Sequence, residues 1–215
     1  MFFETQSSLL YGRQDLPVEL ASLGLEFHVH LPLDLPWGSG GGAVAAVCLE
    51  LMGKVDFLDA AQCVLHPPKE SGAAEALEAF ARRWRRGGRN CADVLLENIR
   101  ENDLLGLLQC MDDNGFGLCL DLGHMLAYEQ HGLAALLPER ARPRMVHLNA
   151  PGQGLAGGAG KSAHLPLTAL DGEGGELGER LCASLCPGGV VVAEFFAWSH
   201  VEESLPVINR WFEKL

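Results

Sequence analysis

The sequence predicts an α/β fold of the (βα)-barrel type, and three observations carry that expectation. Short apolar runs recur at residues 25–31, 62–65, 94–96, 117–120, 144–146 and 190–193, with a seventh candidate at 1–3. Parallel strands buried on both faces read as continuous hydrophobic runs of this kind. Stretches of helical composition separate them, which is the β-α-β-α order of a parallel sheet. The runs also end in residues of metal-ligand type: His28 and His30, then His66, Glu97, Asp121 with His124 close by, His147 and Glu194. In a closed barrel the C-terminal strand ends all face one mouth, so these side chains are expected to converge there.

The helices are expected at 18–23, 42–53, 73–86, 103–114, 125–137 and 201–214. Apolar residues at 73, 76, 77, 80, 81 and 84 give the third of these a helical period. Gly87-Gly88 and Asn114-Gly115 supply stop signals, and Pro138 closes the fifth helix. Two glycine-rich loops stand out. Residues 38–42 follow the first His-bearing run, and residues 151–160 follow His147. Loops after barrel strands are where substrates are gripped, so Trp37, Gly152, Gly154 and Lys161 are substrate-contact candidates, together with His28. No internal repeat or linker divides the chain, and one domain over 1–215 is expected. The first βα unit of a full barrel has no counterpart. Either the true start lies upstream, or about seven strands are expected, with a gap that a second copy of the chain would cover if it had to be closed.

Composition narrows the function. The chain has 215 residues and a formal net charge of −12, which argues against a nucleic-acid partner, because phosphate binding leans on Lys and Arg. The one basic cluster, Arg82-Arg83-Trp84-Arg85-Arg86, ends an expected helix, where cations favour the helix dipole. No apolar run is long enough to span a membrane and no cationic-apolar leader is visible. The seven cysteines include no Cys-x-x-Cys pair and several lie inside apolar runs, so buried thiols in a reducing cytoplasm are expected.

Imidazole and carboxylate together suit Zn, Mn or Fe. His28 lies one period deeper than His30 on the same strand face and reads as a core histidine or a substrate contact. His131 and His200 read as surface residues. Glu97 and Glu194 carry the strongest signal, because a buried strand-end carboxylate is costly unless a cation or donor meets it. The alternative for Glu97 is an ion pair with Arg100. Two facing glutamates can bridge cations a few Å apart, which activate a water and hold both oxygens of an in-line displacement. Gly160-Lys161-Ser162 imitates the end of a phosphate-binding P-loop. Leu155 stands where that motif needs glycine, and no helix follows.

The phrases Leu95-Leu96-Glu97-Asn98, Cys119-Leu120-Asp121-Leu122-Gly123-His124, His147-Leu148-Asn149 and Val192-Ala193-Glu194 resemble the motifs of the xylose-isomerase-like TIM barrels. That superfamily includes endonuclease IV (AP endonuclease family 2) and many sugar isomerases and epimerases. The resemblance runs from about residue 25 to 196. It implies metal ligands at His30, His66, Glu97, Asp121, His124, His147, His164 and Glu194, which hold three zinc ions in endonuclease IV. Ser162 stands where one aspartate ligand would be, so one to three ions are implied. The isomerases use a reduced set, present here as Glu97, Asp121, His147 and Glu194, around one ion.

A narrower likeness is to cobamide-remodelling phosphodiesterases. It rests on Phe27-His28-Val29-His30-Leu31-Pro32-Leu33-Asp34-Leu35, on Leu65-His66-Pro67-Pro68 and on His164-Leu165-Pro166-Leu167. The resemblance implies a metal-dependent phosphodiesterase for a small or medium phosphodiester, with Glu97 and Glu194 as the catalytic pair. The competing expectations are a one-metal sugar isomerase or epimerase with the two glutamates as acid and base, and a barrel that binds without turnover. A His-x-His hydrolase built on His28 and His30 is a further option.

Overall fold

The computed structural model describes residues 1–12, 14–69, 71–137, 142–152 and 164–214. The chain forms two compact units, Met1–Leu96 with Gly106–Gly117, and Glu97–Leu105 with Leu118–Leu215.

In the first unit, strands β1 (His28–His30), β2 (Gln62–Leu65) and β3 (Val94–Glu97) lie side by side in chain order. β1 and β2 are parallel with His28 opposite Gln62 and His30 opposite Val64, and β2 and β3 are parallel with Cys63 opposite Val94. Helices α1 (Gly41–Lys54) and α2 (Ala73–Arg86) form the crossovers, and α3 (Leu108–Asn114) joins them. Leu77, Phe80, Ala81 and Trp84 line the buried stripe of α2. The Phe80 and Trp84 rings stack at 5.4 Å, with Phe116 6.1 Å from Phe80. The two glycine stop signals operate as expected, and Pro138 lies outside the described residues. α2 ends at Gly87 with Gly88 at φ +83°, and α3 ends at Gly115 with φ +72°. Arg85 of the basic cluster donates to the Asn114 carbonyl at 2.7 Å, so it ties α2 to the end of α3.

The second unit carries β4 (Gly117–Asp121), β5 (Met145–Leu148) and β6 (Val190–Ala193), again parallel and in chain order. β4 and β5 are buried almost throughout, whereas all of β6 is half-buried. Four helices accompany them: α4 (Leu122–Ala127), α5 (His131–Ala134), α6 (Gly172–Ala183) and α7 (Trp198–Phe212). Trp211 of α7 packs on Gly178 of α6, where an added Cβ would sit 2.4 Å from the indole.

The parallel α/β order expected of a barrel is present, with local corrections. Six strands stand among the described residues. The seventh candidate at 1–3 contributes only a parallel bridge between Phe2 and His30. The first run contracts to three residues, because Leu25 and Glu26 are exposed and have no core to face. The expected helix at 125–137 starts earlier and breaks in two, because Asp121 caps it at Leu122 and Glu129 takes a left-handed turn at φ +53°. Helix α6 was not expected, since four glycines in twelve residues mask it. The glycine loop at 38–42 is partly helical. Gly41 opens α1 and lets the Ala76 carbonyl of α2 approach to 1.8 Å from where a Cβ would be, so its role is helix packing. All seven cysteines are free and six are buried. Among the described residues no helix is long and apolar enough to cross a membrane.

Candidate metal centre

The C-terminal ends of β3, β4, β5 and β6 deliver Glu97, Asp121, His147 and Glu194. Each places one ligand atom within 4.8 Å of the others. The register explains why. Asp121 is the Cα partner of His147, and His147 is the partner of Val192, so Glu194 extends two residues further on the same face. His147 Nδ1 lies 3.2 Å from Glu97 Oε1 and 3.3 Å from Glu194 Oε2. Three of the four residues are buried and Glu194 is half-buried.

Among the described residues of the second unit, His124 and His164 border the cluster. His124, one turn into α4, turns its Nδ1 to the Asn98 carbonyl at 2.8 Å, so Nε2 is the ring's other polar atom. Its Nδ1 is also 3.9 Å from Glu97 and 3.8 Å from Asp121. His164 Nε2 lies 3.5 Å from Glu194 Oε2. The His164 backbone is left-handed at φ +46°, uncommon for a residue with a side chain, and its ring packs 4.5 Å from Phe196.

Asp121 does two jobs. One oxygen caps α4 by accepting from the His124 amide, and the other accepts from Asn149 Nδ2 at 2.8 Å. Behind it, Asn98 Oδ1 accepts from the Asp121 amide at 2.7 Å, and Asn98 Nδ2 donates to Gln130 Oε1 at 2.8 Å. Gln130 Nε2 closes the network on the Ile99 carbonyl at 2.8 Å. Buried polar networks that are well satisfied hold a site rigid. Gly123 is part of the construction, since a Cβ there would fall 1.7 Å from Asn149 Oδ1.

Burial and close neighbours shift the cluster's ionisable groups in opposite directions. Burial raises the Asp121 carboxyl to about 6, against the pull of His124. Burial opposes protonation of His147, but Cys119, Glu97 and Glu194 together outweigh it and hold the imidazole well above its ordinary value. Burial also pushes Glu194 upward, yet His147 and the hydrogen bonds from His147 and His164 prevail and keep it below the usual carboxylate range. Three carboxylates and the His147 imidazole thus crowd one point. A divalent cation with oxygen and imidazole ligands suits this donor set.

Four of the other candidates, His28, His30, His66 and Trp37, are carried by the first unit. His30 and His66 belong to the first unit, on β1 and just after β2, with ring centroids 5.2 Å apart. His28 is half-buried, with Nδ1 unpartnered and Nε2 3.7 Å from Glu26. Trp37 sits 6.1 Å from Phe80 and lines a cleft of about 340 Å³ together with Leu33, Leu35, Pro36 and Lys69. Gly152 is half-buried just after β5, while Gly154, Lys161 and Ser162, with the P-loop imitation, lie outside the described residues. The surroundings of Asp121, namely Gly123, Gln130 and Asn149, were not singled out from the sequence. Gly123 and Asn149 stand inside the quoted motifs, one and two residues from a ligand candidate, whereas no sequence signal marks Gln130.

No protein-family model matches the chain. No curated protein matches it either. Solved structures do. A D-tagatose 3-epimerase-like protein superposes with TM-score 0.68 over 99% of this chain and 86% of its own, at 17% identity. Endonuclease IV from Thermus thermophilus gives 0.59 over 93% and 83%, at 22% identity. A second Thermus thermophilus protein, soaked with ZnCl2, gives 0.66 over 100% and 88%, at 19% identity. The chain shares its fold with these proteins.

Proposed function

We propose that the chain is a metal-dependent enzyme whose cation is held by Glu97, Asp121, His147 and Glu194, and that it hydrolyses a small or medium phosphodiester. The observation that carries the hydrolytic reading is the pair of imidazoles at the rim. His124 and His164 stand beside the four-residue cluster and exceed what a one-ion isomerase uses. When bound, a divalent ion polarises a phosphoryl oxygen and lowers the pKa of water. Glu97 and Glu194 set the charge that fixes the ion, and Asp121 is held by Asn149 and the α4 amide so that it need not reorganise. His164 Nε2, braced on Glu194, is placed to carry a proton to a leaving oxygen. The net charge of −12 favours a small substrate over a nucleic acid. A cobamide nucleotide loop is the specific candidate, on the likeness of residues 27–35, 65–68 and 164–167 to the cobamide-remodelling phosphodiesterases.

The second reading is a sugar isomerase or epimerase using one ion, with Glu97 and Glu194 as base and acid. The superposition on a D-tagatose 3-epimerase-like protein favours it. Zinc- and manganese-loaded protein should be assayed side by side on a cobamide, on bis-p-nitrophenyl phosphate and on a panel of ketoses. Release of the lower-ligand riboside or of p-nitrophenol supports the hydrolase. Ketose interconversion without phosphodiester cleavage supports the isomerase.

A further inference from the structure

We propose that Cys119 is a positioning residue that holds the His147 imidazole with Nδ1 turned toward the carboxylates. The inference rests on the cation site proposed above. Cys119 and Asp121 lie two residues apart on β4, so their side chains share a face. The register pairs Asp121 with His147 and Cys119 with Met145, which sets Cys119 one step below His147 on that face. Both residues are buried, and the Cys119 thiol is within hydrogen-bonding reach of the imidazole. Nδ1 is the nitrogen at 3.2 Å and 3.3 Å from Glu97 and Glu194, and the proposal assigns Nε2 to the thiol.

A histidine that ligates through one nitrogen needs a partner at the other to fix its tautomer and ring orientation. Carboxylates, carbonyls and waters usually serve. A thiol serves here, and there is a charge argument for it. Three carboxylates already converge on the site, and a fourth behind His147 would add buried negative charge that one divalent ion does not neutralise. Sulfur is a weak acceptor that supplies direction without charge.

Cys119→Val removes the hydrogen bond at nearly constant volume, and Cys119→Ser retains a hydroxyl that can replace it. Zinc affinity, read by competition with a chromogenic chelator, should fall about 10–100-fold in the Val variant, as for other partners of ligating histidines, and recover in the Ser variant. Long-range ¹H–¹⁵N spectra of metal-free protein give a second readout, with the His147 signals assigned by their loss in His147→Gln. Nε2 should shift and exchange faster with water in Cys119→Val and stay near its original position in Cys119→Ser. A Val variant with unchanged affinity and an unchanged Nε2 signal overturns the proposal. So does a Ser variant that folds with the original Tm but behaves like Val. If the unaltered protein binds no cation while its Nε2 signal responds as described, the metal reading fails and the positioning role stands.

Discussion

Asn149 donates from Nδ2 to Asp121 Oδ2 at 2.8 Å, wholly inside the protein. The other Asp121 oxygen caps α4, so both halves of the carboxylate are held by donors of the chain itself. Asn149→Ala leaves a buried carboxylate oxygen short of a donor, which costs about 1–3 kcal/mol. Metal-free protein should therefore melt earlier. Added zinc should recover part of the loss, because the ion supplies the missing positive partner. Equal melting temperatures for the variant and the original in the absence of metal would refute this account.

Gly123→Ala tests the same contact from the other side. Alanine is the better helix former by about 1 kcal/mol, so a helical glycine of no consequence would tolerate the change. The added Cβ would fall 1.7 Å from Asn149 Oδ1, and the clash should outweigh the propensity gain. The double variant Gly123→Ala/Asn149→Ala should be more stable than the two separate losses imply, because the second change removes the obstacle met by the first. Denaturant melts of all four proteins give the coupling directly, and simple additivity would refute it.

Cation binding should release protons. In metal-free protein Asp121 is raised to about 6 by burial, and His147 is held above its ordinary value. A ligating ion displaces both protons, so apparent affinity should climb as pH rises from about 6. The stability linkage has the same sign. A group raised in the folded state from 3.8 to about 6 stabilises fully below 3.8 and no longer does so above about 6, and His147 acts in the same sense. Glu194, depressed on folding, contributes above its ordinary 4.5 and loses that only in more acid solution. Metal-free protein should thus lose stability as pH rises through about 6, while zinc-loaded protein should not. Calorimetric titration in buffers of different ionisation enthalpy counts the protons, and a count of zero would be decisive against the scheme.

Gly178→Ala should be destabilising although it lies in the α6 helix. The new methyl would meet Trp211 at 2.4 Å, and overpacking of this kind costs about 1–3 kcal/mol. Gly175→Ala, in the same helix with nothing within 4 Å, should stabilise by about 0.5–1 kcal/mol. Thermal melts of the pair separate packing from propensity, and shifts of the same sign would contradict the contact.

The legibility of this chain follows from its physics. Strands β2 and β6 and helix α2 have the ranges expected from the sequence, because buried runs and a 3.6-residue stripe leave little choice. Asp121, His147 and Glu194 stand out because polar residues that end apolar runs are few. Helix α6 was hidden because Gly172, Gly174, Gly175 and Gly178 lower its propensity, and the signals that remain are modest. They are the Asp171 cap, accepting from the Gly174 amide at 2.7 Å, and the burial of Leu181 and Cys182. The supporting polar shell was illegible for a different reason. Gln130 meets Asn98 across 32 residues, and no local pattern encodes a partner at that distance.

The double duty of Asp121 makes the first turn of α4 a reporter of what the site holds. The carboxylate oxygen that accepts from the His124 amide belongs to a proposed ligand, so an ion drawing on that carboxylate changes the electron density available to the cap. Hydrogen–deuterium exchange at the amide of residue 124 should then vary with cation identity and concentration, even where no catalytic turnover is being followed. A backbone proton in a short helix becomes a gauge of occupancy, and it can be read before any substrate is known.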